Sequence, residues 1–366
     1  MRVLTVNAGS SSLKLRLLGE RDEVVQSADL PAVDAGTGDA GMAQTLRGWP
    51  APDATGHRIV HGGTRFAGPV LVDPRVEREL RALTDLAPLH QPKSLAAFDA
   101  VRKLFPDVPA VACFDTAFHA SMPAAAATYA VPRDWQQRYG VRRYGFHGLS
   151  HAYCSGRAAE LLGRDPAGLR VVTCHLGAGA SLAAVAGGRS VDTTMGFTPL
   201  EGLVMATRSG TVDPGLVLWL AEHEQLPPAD IASALEHRSG LLALAGTADM
   251  RDVEARAAAG DEAATLAFDV FVHRLVTGIG AMTAAAGGVD ALVFTAGIGE
   301  HSPAVRAAAV GRLGHLGVLI DAGRNDAARG DADISYGQAS VRTLVVAARE
   351  DLQIARETRR VLEAGG

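Results

Sequence analysis

The chain has 366 residues, a length that predicts two domains or one domain with large insertions. It carries 35 basic and 40 acidic residues, which give a formal net charge of −5 at pH 7. This balance argues against a nucleic-acid-binding protein, because such a protein needs an excess of basic residues.

The cysteines and the N-terminal segment indicate the compartment. Cys113, Cys154 and Cys174 are odd in number and lack paired spacing, which favours a reducing compartment over a disulfide scaffold. The apolar stretch before Asn7 is too short for a signal peptide, and no run approaches the roughly 20 apolar residues of a membrane span. We therefore expect a soluble, cytoplasmic protein.

The first half of the chain predicts a hairpin, then two helices and a strand. Residues 3–18 are two apolar strands joined by the polar loop NAGSSS. Residues 34–56 have little periodicity and predict a loop or a poorly formed edge. Apolar residues recur at helical spacing from Val76 to Leu83, and again from Ser94 until Pro106 ends the pattern. Residues 110–114 then form a strand.

The second half repeats this plan. Residues 170–174 and 182–186 are strands joined by the Gly-rich loop HLGAGAS. Asp213 before proline predicts a helix start, and residues 261–286 predict a long helix that is buried because it is apolar on most sides. A strand at 291–295, the loop AGIGE, a helix, a strand at 343–347 and a closing helix follow. Alternating strands and helices predict an α/β fold, and the repeated unit predicts two related domains facing each other across a cleft.

Four loops rich in glycine or hydroxyl residues follow predicted strands: NAGSSS, HLGAGAS, ATRSGT and AGIGE. Loops of small residues direct several backbone N–H groups toward one point, and such nests bind phosphate oxygens. One such loop is equally typical of a tight turn, but four in one chain favour a phosphorylated ligand. None matches a Walker A loop or a dinucleotide fingerprint.

The 12 histidines show no HExxH or Cys/His ligand spacing, so no structural metal site is predicted. Several lie at predicted strand ends, among them His61, His119, His147 and His151. Each alone is compatible with an ordinary core or turn residue. Their clustering favours a functional site, because ligands of α/β sheets bind at the carboxyl ends of the strands.

Eight strings carry a family resemblance over nearly the whole chain: VNAGSSSLK, HRIVHGG, LAPLHQP, FDTAFH, RYGFHGLSH, TMGFTPLEGL, ATRSGTVDPG and FTAGIGE. In this order they resemble the acetate and propionate kinase family, within the superfamily of acetate and sugar kinases, Hsp70 and actin. The resemblance implies two actin-like, ribonuclease H-like domains, residues 1–119 with 352–366 and residues 120–351. It also implies a homodimer that transfers the γ-phosphoryl group of ATP to acetate directly, in line and reversibly with Mg²⁺.

The resemblance assigns Arg58, Asp115, His147 and Arg208 to catalysis. Arginine forks suit carboxylate and phosphoryl oxygens, and the histidine is expected to donate to the transferring group. Asp115 is expected to align the arginines or the substrate and not to act as a base, because a carboxylate nucleophile is already ionised. The positions associated with Mg²⁺ are Asn7 and Glu350, which supply oxygen ligands.

Binding residues are implied in the same way. The acetate site comprises Arg58, Val60, Leu89, His90, Phe146 and Pro199. The ATP site comprises Ser10, Ser12, Lys14, His175, Gly177, Gly179, Asp249, Arg251, Gly297, Ile298, Gly299 and His301. The bulky walls of the acyl pocket suit acetate, and since one methylene changes such binding by only about 1–3 kcal/mol, propionate is expected to be a slower substrate.

Departures from the family pattern bear mostly on the nucleotide side. Ala178 and Ala180 stand where an asparagine and a serine are usual, His301 replaces an asparagine, and Arg349 adds a positive charge beside Glu350. A pyrophosphate donor is therefore an alternative to ATP. A propionate or butyrate kinase of the same fold is a second alternative, and a non-catalytic nucleotide-binding member is a third, although all the implied catalytic residues are present.

Overall fold

The computed structural model describes residues 1–9, 12–31, 39–87 and 91–365. These residues form two compact units. The first unit comprises Met1–Ala120, Phe146–Tyr153 and the chain from Arg349 onward, and the second comprises Ser121–Gly145 and Cys154–Ala348.

The first unit is built on a mixed sheet. Its strands are β1 (Val3–Ala8), β2 (Ser12–Leu18), β3 (Val24–Pro31), β4 (Ala54–Ile59), β5 (Val70–Leu71) and β6 (Ala110–Phe114). They lie in the order β3-β2-β1-β4-β6-β5. Strands β1, β4 and β6 are parallel, and the other neighbours are antiparallel. The predicted hairpin of residues 3–18 is confirmed as β1 and β2.

The second unit repeats this sheet. Its strands are β7 (Arg170–Leu176), β8 (Ala180–Ala186), β9 (Arg189–Thr193), β10 (Ala291–Thr295), β11 (Ala332–Asp333) and β12 (Arg342–Val345). Read as β9-β8-β7-β10-β12-β11, the order matches the first sheet strand for strand, and so do the strand directions. The predicted α/β class with two related halves is therefore confirmed.

The helices alternate with these strands along the chain. In chain order they are α1 (Asp39–Arg47), α2 (Pro74–Ala82), α3 (Gln91–Leu104), α4 (Ala124–Ala127), α5 (Arg133–Tyr139), α6 (Gly148–Leu162), α7 (Pro214–Glu222), α8 (Pro228–His237), α9 (Gly240–Ala245), α10 (Met250–Ala258), α11 (Glu262–Ala285), α12 (Ala296–His301), α13 (Pro303–Val310), α14 (Ala322–Ala327) and α15 (Glu350–Ala364). Asp213 caps α7 by accepting from the Gly215 N–H, as its position before proline predicts.

Helices α3 and α15 cover the first sheet and bring the end of the chain back to its beginning. Buried alanines of α3 pack against Leu4 and Val6 of β1, while Ile354 of α15 packs against Val111 and Cys113 of β6. At Gly56 of β4 a Cβ would lie 2.3 Å from the Thr358 hydroxyl. Glycine at this position therefore allows α15 to approach the sheet closely.

Two expectations about secondary structure are wrong in part. Residues 34–56 contain α1 and the start of β4 where a loop or poor edge was expected. Helix α11 is buried along one face, whereas Leu266 is 57% exposed.

Contrary to expectation, α11 is also long and apolar enough to span a membrane by length and composition. A core helix passes the same test, so one such helix is weak evidence for a membrane protein.

The compact units and the predicted domain boundaries differ in detail. Residues 146–153 and 349–351 belong to the first unit, where the sequence predicted the second domain. Residues 349–351 contain the start of α15, whose Glu350 accepts a hydrogen bond from Asn7 of β1. The division into residues 1–119 with 352–366 and residues 120–351 remains a prediction about domains.

Candidate functional site

A buried ion pair lies at the carboxyl edge of the first sheet. Arg58 is near the end of β4, and Asp115 directly follows the neighbouring parallel strand β6. The Arg58 Nε donates to Asp115 Oδ1 at 3.0 Å and Nη2 donates to Oδ2 at 2.6 Å. The side chains are 13% and 2% exposed. The pair is thus bidentate and almost fully desolvated, an arrangement that fixes the plane of the guanidinium.

Burial and charge act in opposite directions on this pair. Burial raises the pKa of Asp115, and the Arg58 guanidinium opposes that rise. The pKa of Arg58 is raised in turn: burial acts to lower it, and the Asp115 charge outweighs that effect. Since arginine stays protonated in proteins, the pair stabilises the ionised carboxylate. Both carboxylate oxygens of Asp115 therefore accept hydrogen bonds from Arg58.

Asn7 and Glu350 lie beside this pair. The Asn7 Nδ2 donates to Glu350 Oε2 at 2.6 Å. Arg58 Nη1 donates to the Ala8 carbonyl at 2.8 Å and approaches the Asn7 side-chain oxygen at 3.4 Å. The Arg349 side chain is ion-paired with Asp351 at 2.8 Å, so the added positive charge beside Glu350 has its own partner.

The donor set around Asn7 fits Mg²⁺ rather than a metal held only by protein. Among the described residues, no group of three or more His, Cys, Asp or Glu side chains could hold a metal. Mg²⁺ uses one or two carboxylates together with waters and substrate phosphates. Asn7 has an amide oxygen and Glu350 a carboxylate, which are the oxygen donors that such a site needs, and the Asn7 Nδ2–Glu350 Oε2 hydrogen bond holds the two side chains together.

His147 has an unusual backbone next to Asp115. Its φ is +57°, a left-handed conformation that is uncommon for a side chain other than glycine. The following Gly148 N–H donates to the Asp115 carbonyl at 2.9 Å, and a Cβ on Gly148 would lie 2.1 Å from that oxygen. A backbone hydrogen bond from His147 also lowers the pKa of Asp115, against the larger effect of burial. Three sequence-predicted catalytic residues, Arg58, Asp115 and His147, are therefore brought together in the first unit.

Other strand-end histidines are core residues. His61, His119 and His151 are fully buried. His119 Nε2 lies 3.1 Å from the Phe146 carbonyl, and the His61 ring contacts the Phe146 ring edge-on. Burial lowers the pKa of His61 and of His119 to about 4. The rings of His61 and His119 are therefore neutral near pH 7, and both contact Phe146, which precedes His147.

The structure describes only some of the residues predicted to bind acetate and to form the first phosphate loop, NAGSSS. Val60 and Phe146 are buried in the first unit. Ser12 begins β2, and exposed Lys14 is paired with Asn7 across the β1–β2 ladder. Ser10, Leu89 and His90 lie outside the described residues. Pro199 belongs to the second unit.

The loop HLGAGAS, residues 175–181, makes a tight turn between β7 and β8 and is called the second phosphate loop, because the sequence predicts that it binds phosphate oxygens. The Gly177 N–H donates to the Gly179 carbonyl at 2.9 Å, and His175 is buried at the end of β7. The Ala206 N–H donates to the Ala178 carbonyl at 3.1 Å. This bond ties the second phosphate loop to the loop ATRSGT, so two of the four motif loops are neighbours.

Arg208, in the loop ATRSGT, is ion-paired with a residue that sequence reasoning missed. Its Nε lies 2.9 Å from Glu236 Oε2 on α8. Its Nη1 approaches the Pro199 carbonyl at 3.5 Å. The 27 residues between Arg208 and Glu236 in the chain carry no local pattern that indicates the contact.

Further contacts hold the segment that contains Pro199. Arg143 donates to Glu201 at 2.7 Å and to the carbonyls of three successive residues, Thr193 to Met195. The Tyr129 hydroxyl donates to Glu201 and accepts from the Phe197 N–H. Burial raises the pKa of Tyr129, so the phenol remains a hydrogen-bond donor.

A cavity of about 590 Å³ lies within the second unit, in the size range of small-molecule sites. Its lining combines the second phosphate loop, the start of α10 and the loop AGIGE: Gly177, Ala178, Ala248, Asp249, Met250, Arg251, Glu254, Gly297, Ile298, His301 and Ser302. Six residues predicted to bind ATP are therefore brought to one cavity. Asp249 caps α10 and is ion-paired with Arg251 at 2.5 Å.

Buried Arg306 contacts the backbone of the loop AGIGE, which lines this cavity, and its role was not predicted from the sequence. It is 0% exposed, and its Nη1 donates to the carbonyls of Gly299 and Glu300, each at 2.9 Å. Asn325 accepts from Nε and from Nη2. Burial lowers the pKa of Arg306. An arginine in an otherwise apolar helix, α13, was the available signal for this role.

Comparisons with known proteins identify the family of this chain. The model of the acetokinase family matches residues 50–356. The chain is 46% identical to an acetate kinase of Deinococcus radiodurans, over 98% of the chain and 97% of that protein. Among solved structures, Porphyromonas gingivalis acetate kinase is 36% identical with a TM-score of 0.90, covering 99% of each chain. A Francisella tularensis propionate kinase is 34% identical with a TM-score of 0.89, covering 98% of this chain and 99% of that one. The chain belongs to the acetokinase family.

Proposed function

We propose that this protein transfers the γ-phosphoryl group of ATP to acetate, reversibly and with Mg²⁺, and forms acetyl phosphate and ADP. The observation that carries the proposal is the buried Arg58–Asp115 pair in contact with Asn7, which is itself bonded to Glu350. It combines a fixed guanidinium with oxygen donors for a hard cation. Membership of the acetokinase family supports the same reaction.

The reaction requires positioning and charge neutralisation, since acetate is already ionised near pH 7. Arg58 is assigned to the acetate carboxylate, and Asp115 orients Arg58 through the bidentate contact. Asn7 and Glu350 would hold Mg²⁺, which when bound neutralises charge on the phosphate oxygens. His147 and Arg208 are assigned to the transferring phosphoryl group, where they donate hydrogen bonds to its oxygens. The transfer is proposed to be direct and in line.

The cavity of the second unit is assigned to the nucleotide. Ala248, Met250 and Ile298 give it apolar walls, and Gly177 and Gly297 expose backbone toward it. A pyrophosphate ion has no apolar part that would use such walls, so the cavity favours ATP as the donor. His175 and Gly179, in the second phosphate loop, are assigned to the phosphates of ATP, and so are Ser10, Ser12 and Lys14 at the first phosphate loop.

Acetate is proposed as the preferred acceptor. Val60 and Phe146 are bulky buried side chains, and Leu89, His90 and Pro199 are assigned to the same substrate. The likeness to a propionate kinase keeps a longer acyl chain as the second candidate. The presence of every assigned catalytic residue favours an enzyme over a non-catalytic member.

We further propose a cytoplasmic homodimer that binds neither nucleic acid nor membrane. The three cysteines are buried thiols, which suits a reducing compartment. Helix α7 exposes Leu216, Leu218 and Trp219, an apolar surface of the kind that interfaces cover. Light scattering should give twice the chain mass, and Leu218→Glu should shift it toward the monomer. A monomer at all concentrations would contradict this proposal.

A hydroxamate assay for acyl phosphate tests the function. Acetate, propionate and butyrate are each combined with ATP, GTP and pyrophosphate, and the highest rate is expected for acetate with ATP. Arg208→Ala should abolish turnover while circular dichroism stays unchanged. If no pair of carboxylate and phosphoryl donor gave acyl phosphate, the proposed enzymatic activity would be contradicted. Full activity of Arg208→Ala would remove Arg208 from the mechanism.

A further inference from the structure

Glu236 is a side chain that neither the family resemblance nor the proposed mechanism uses. We infer that Glu236 is the positioning residue of Arg208 and orders its guanidinium before substrate binds. This inference rests on the proposed function. It concerns the second unit alone, because both residues belong to it.

The contact between the two side chains is short and shielded from solvent. Glu236 Oε2 lies 2.9 Å from Arg208 Nε, and the side chains are 15% and 16% exposed. The contacts of Arg208 Nη1 with the Pro199 carbonyl and Met205 Sδ are longer, at 3.5 and 3.8 Å. A carboxylate at Nε restrains rotation of the planar guanidinium.

The backbone on both sides of this contact is cross-linked. The Ser209 N–H donates to the Leu235 carbonyl at 3.0 Å, and the Ser239 N–H donates to the Thr207 carbonyl at 2.9 Å. The Thr207 hydroxyl donates to the carbonyl of Glu236 itself at 2.9 Å. These hydrogen bonds join the end of α8 to the loop ATRSGT and fix the position of Glu236 relative to Arg208.

The position of Glu236 in α8 is unfavourable for a carboxylate. It lies in the last turn of the helix, which ends at His237. The carbonyl end of a helix carries partial negative charge and favours cations. A residue that opposes its local environment is expected where a tertiary partner requires it, and Arg208 is that partner.

The expected effect follows from the cost of ordering a long side chain. If such a side chain is not ordered beforehand, its immobilisation on binding lowers the binding constant or the rate constant by about 3- to 10-fold. Because Arg208 is assigned to the transferring phosphoryl group, this loss should fall on kcat and leave KM for acetate unchanged. Glu236→Gln, which keeps one acceptor oxygen, should lose less than Glu236→Ala.

A double-mutant cycle separates positioning from general support of the fold. Glu236→Ala is made in the wild type and in Arg208→Lys, whose side chain has no Nε–H fork to orient, and Glu224→Gln serves as the exposed acidic control. We expect Glu236→Ala to lower kcat by about 3- to 10-fold in the wild type and by less than about twofold in the Arg208→Lys background. Equal losses in both backgrounds would overturn the inference.

A readout that does not depend on activity completes the test. Phenylglyoxal modification of Arg208, mapped by mass spectrometry, should be at least about threefold faster in Glu236→Ala than in the wild type and unchanged in Glu224→Gln. An unchanged rate in Glu236→Ala would overturn the inference. Absence of acetyl phosphate formation by the wild type would instead overturn the proposed function, so the two failures are distinguishable.

Discussion

His57 of β4 is expected to destabilise the first unit at mildly acidic pH. It is 2% exposed, with its ring edge-on to Phe98 at 5.0 Å. Its Nε2 lies 3.0 Å from the Thr55 hydroxyl, whereas its Nδ1 has no hydrogen-bond partner among the described residues. Burial lowers the pKa of His57 to about 3. The folded protein therefore keeps this ring neutral at pH values where an unfolded chain protonates it.

The magnitude follows from proton linkage. An unfolded histidine has a pKa of about 6.5, so between about pH 7.5 and 5.5 the unfolded chain takes up most of one proton that the folded chain does not bind. A group whose folded pKa is lowered contributes stability above its unfolded pKa and loses it as pH falls. The loss over this interval is about 1.4 kcal/mol of unfolding free energy for His57 alone.

The assay compares the wild-type ring with His57→Leu by urea unfolding at both pH values. Trp49 packs against the core of the first unit, so its fluorescence reports this unit once Trp135 and Trp219 are replaced by phenylalanine in both proteins. The protein with His57 should lose about 1.4 kcal/mol more between the two pH values than the leucine variant. Equal losses would refute the reasoning, because His57 would then titrate alike in the folded and unfolded states.

Three further predictions concern the first unit. Asp115→Asn leaves Arg58 without its charged partner, and breaking a buried ion pair costs about 3–5 kcal/mol. Initial rates should therefore fall at least about 100-fold. A rate near that of the wild type would show that another group orients Arg58. Gly148→Ala places a Cβ 2.1 Å from the Asp115 carbonyl, and the resulting displacement should lower kcat at least about tenfold; unchanged kinetics would contradict this close approach. Val60→Ala should raise kcat/KM for propionate relative to acetate by about 3- to 10-fold, and an unchanged ratio would remove Val60 from the pocket wall.

Much of the fold could be predicted because its signals are local. The β1–β2 hairpin alternates apolar and polar residues around a polar loop, and β6 is a short apolar run at 110–114. Strand β4 reads ATGHRI and lacks such a signal. It is buried because α15 crosses it at Gly56, a tertiary cause that no local pattern contains. The exposed face of α11 has the same origin, because composition alone does not say which apolar faces a neighbour covers.

The candidate site was predictable where chemistry coincides with topology. The family resemblance assigned Arg58 and Asp115 together, and the structure places them at the carboxyl edge of the parallel strands β4 and β6, where ligands of α/β sheets bind. Glu236 was missed because its ion-pair partner, Arg208, is distant in the chain. Arg306 was missed because the sequence does not show that its guanidinium donates to the backbone carbonyls of Gly299 and Glu300. Single acidic or basic residues on helices are usually solvated, so the role of Glu236 is recognised from its three-dimensional contact, whereas the otherwise apolar sequence of α13 was a signal for Arg306.

Phosphorus NMR of one reaction mixture tests the proposed phosphoryl transfer from ATP to acetate. The protein is incubated with ATP, Mg²⁺ and acetate, and samples lacking acetate or containing Arg208→Ala serve as controls. Direct transfer predicts a growing acetyl phosphate resonance together with that of ADP in equal amounts, and neither in the controls. ADP with inorganic phosphate alone, or no change in the ATP resonances, would contradict it.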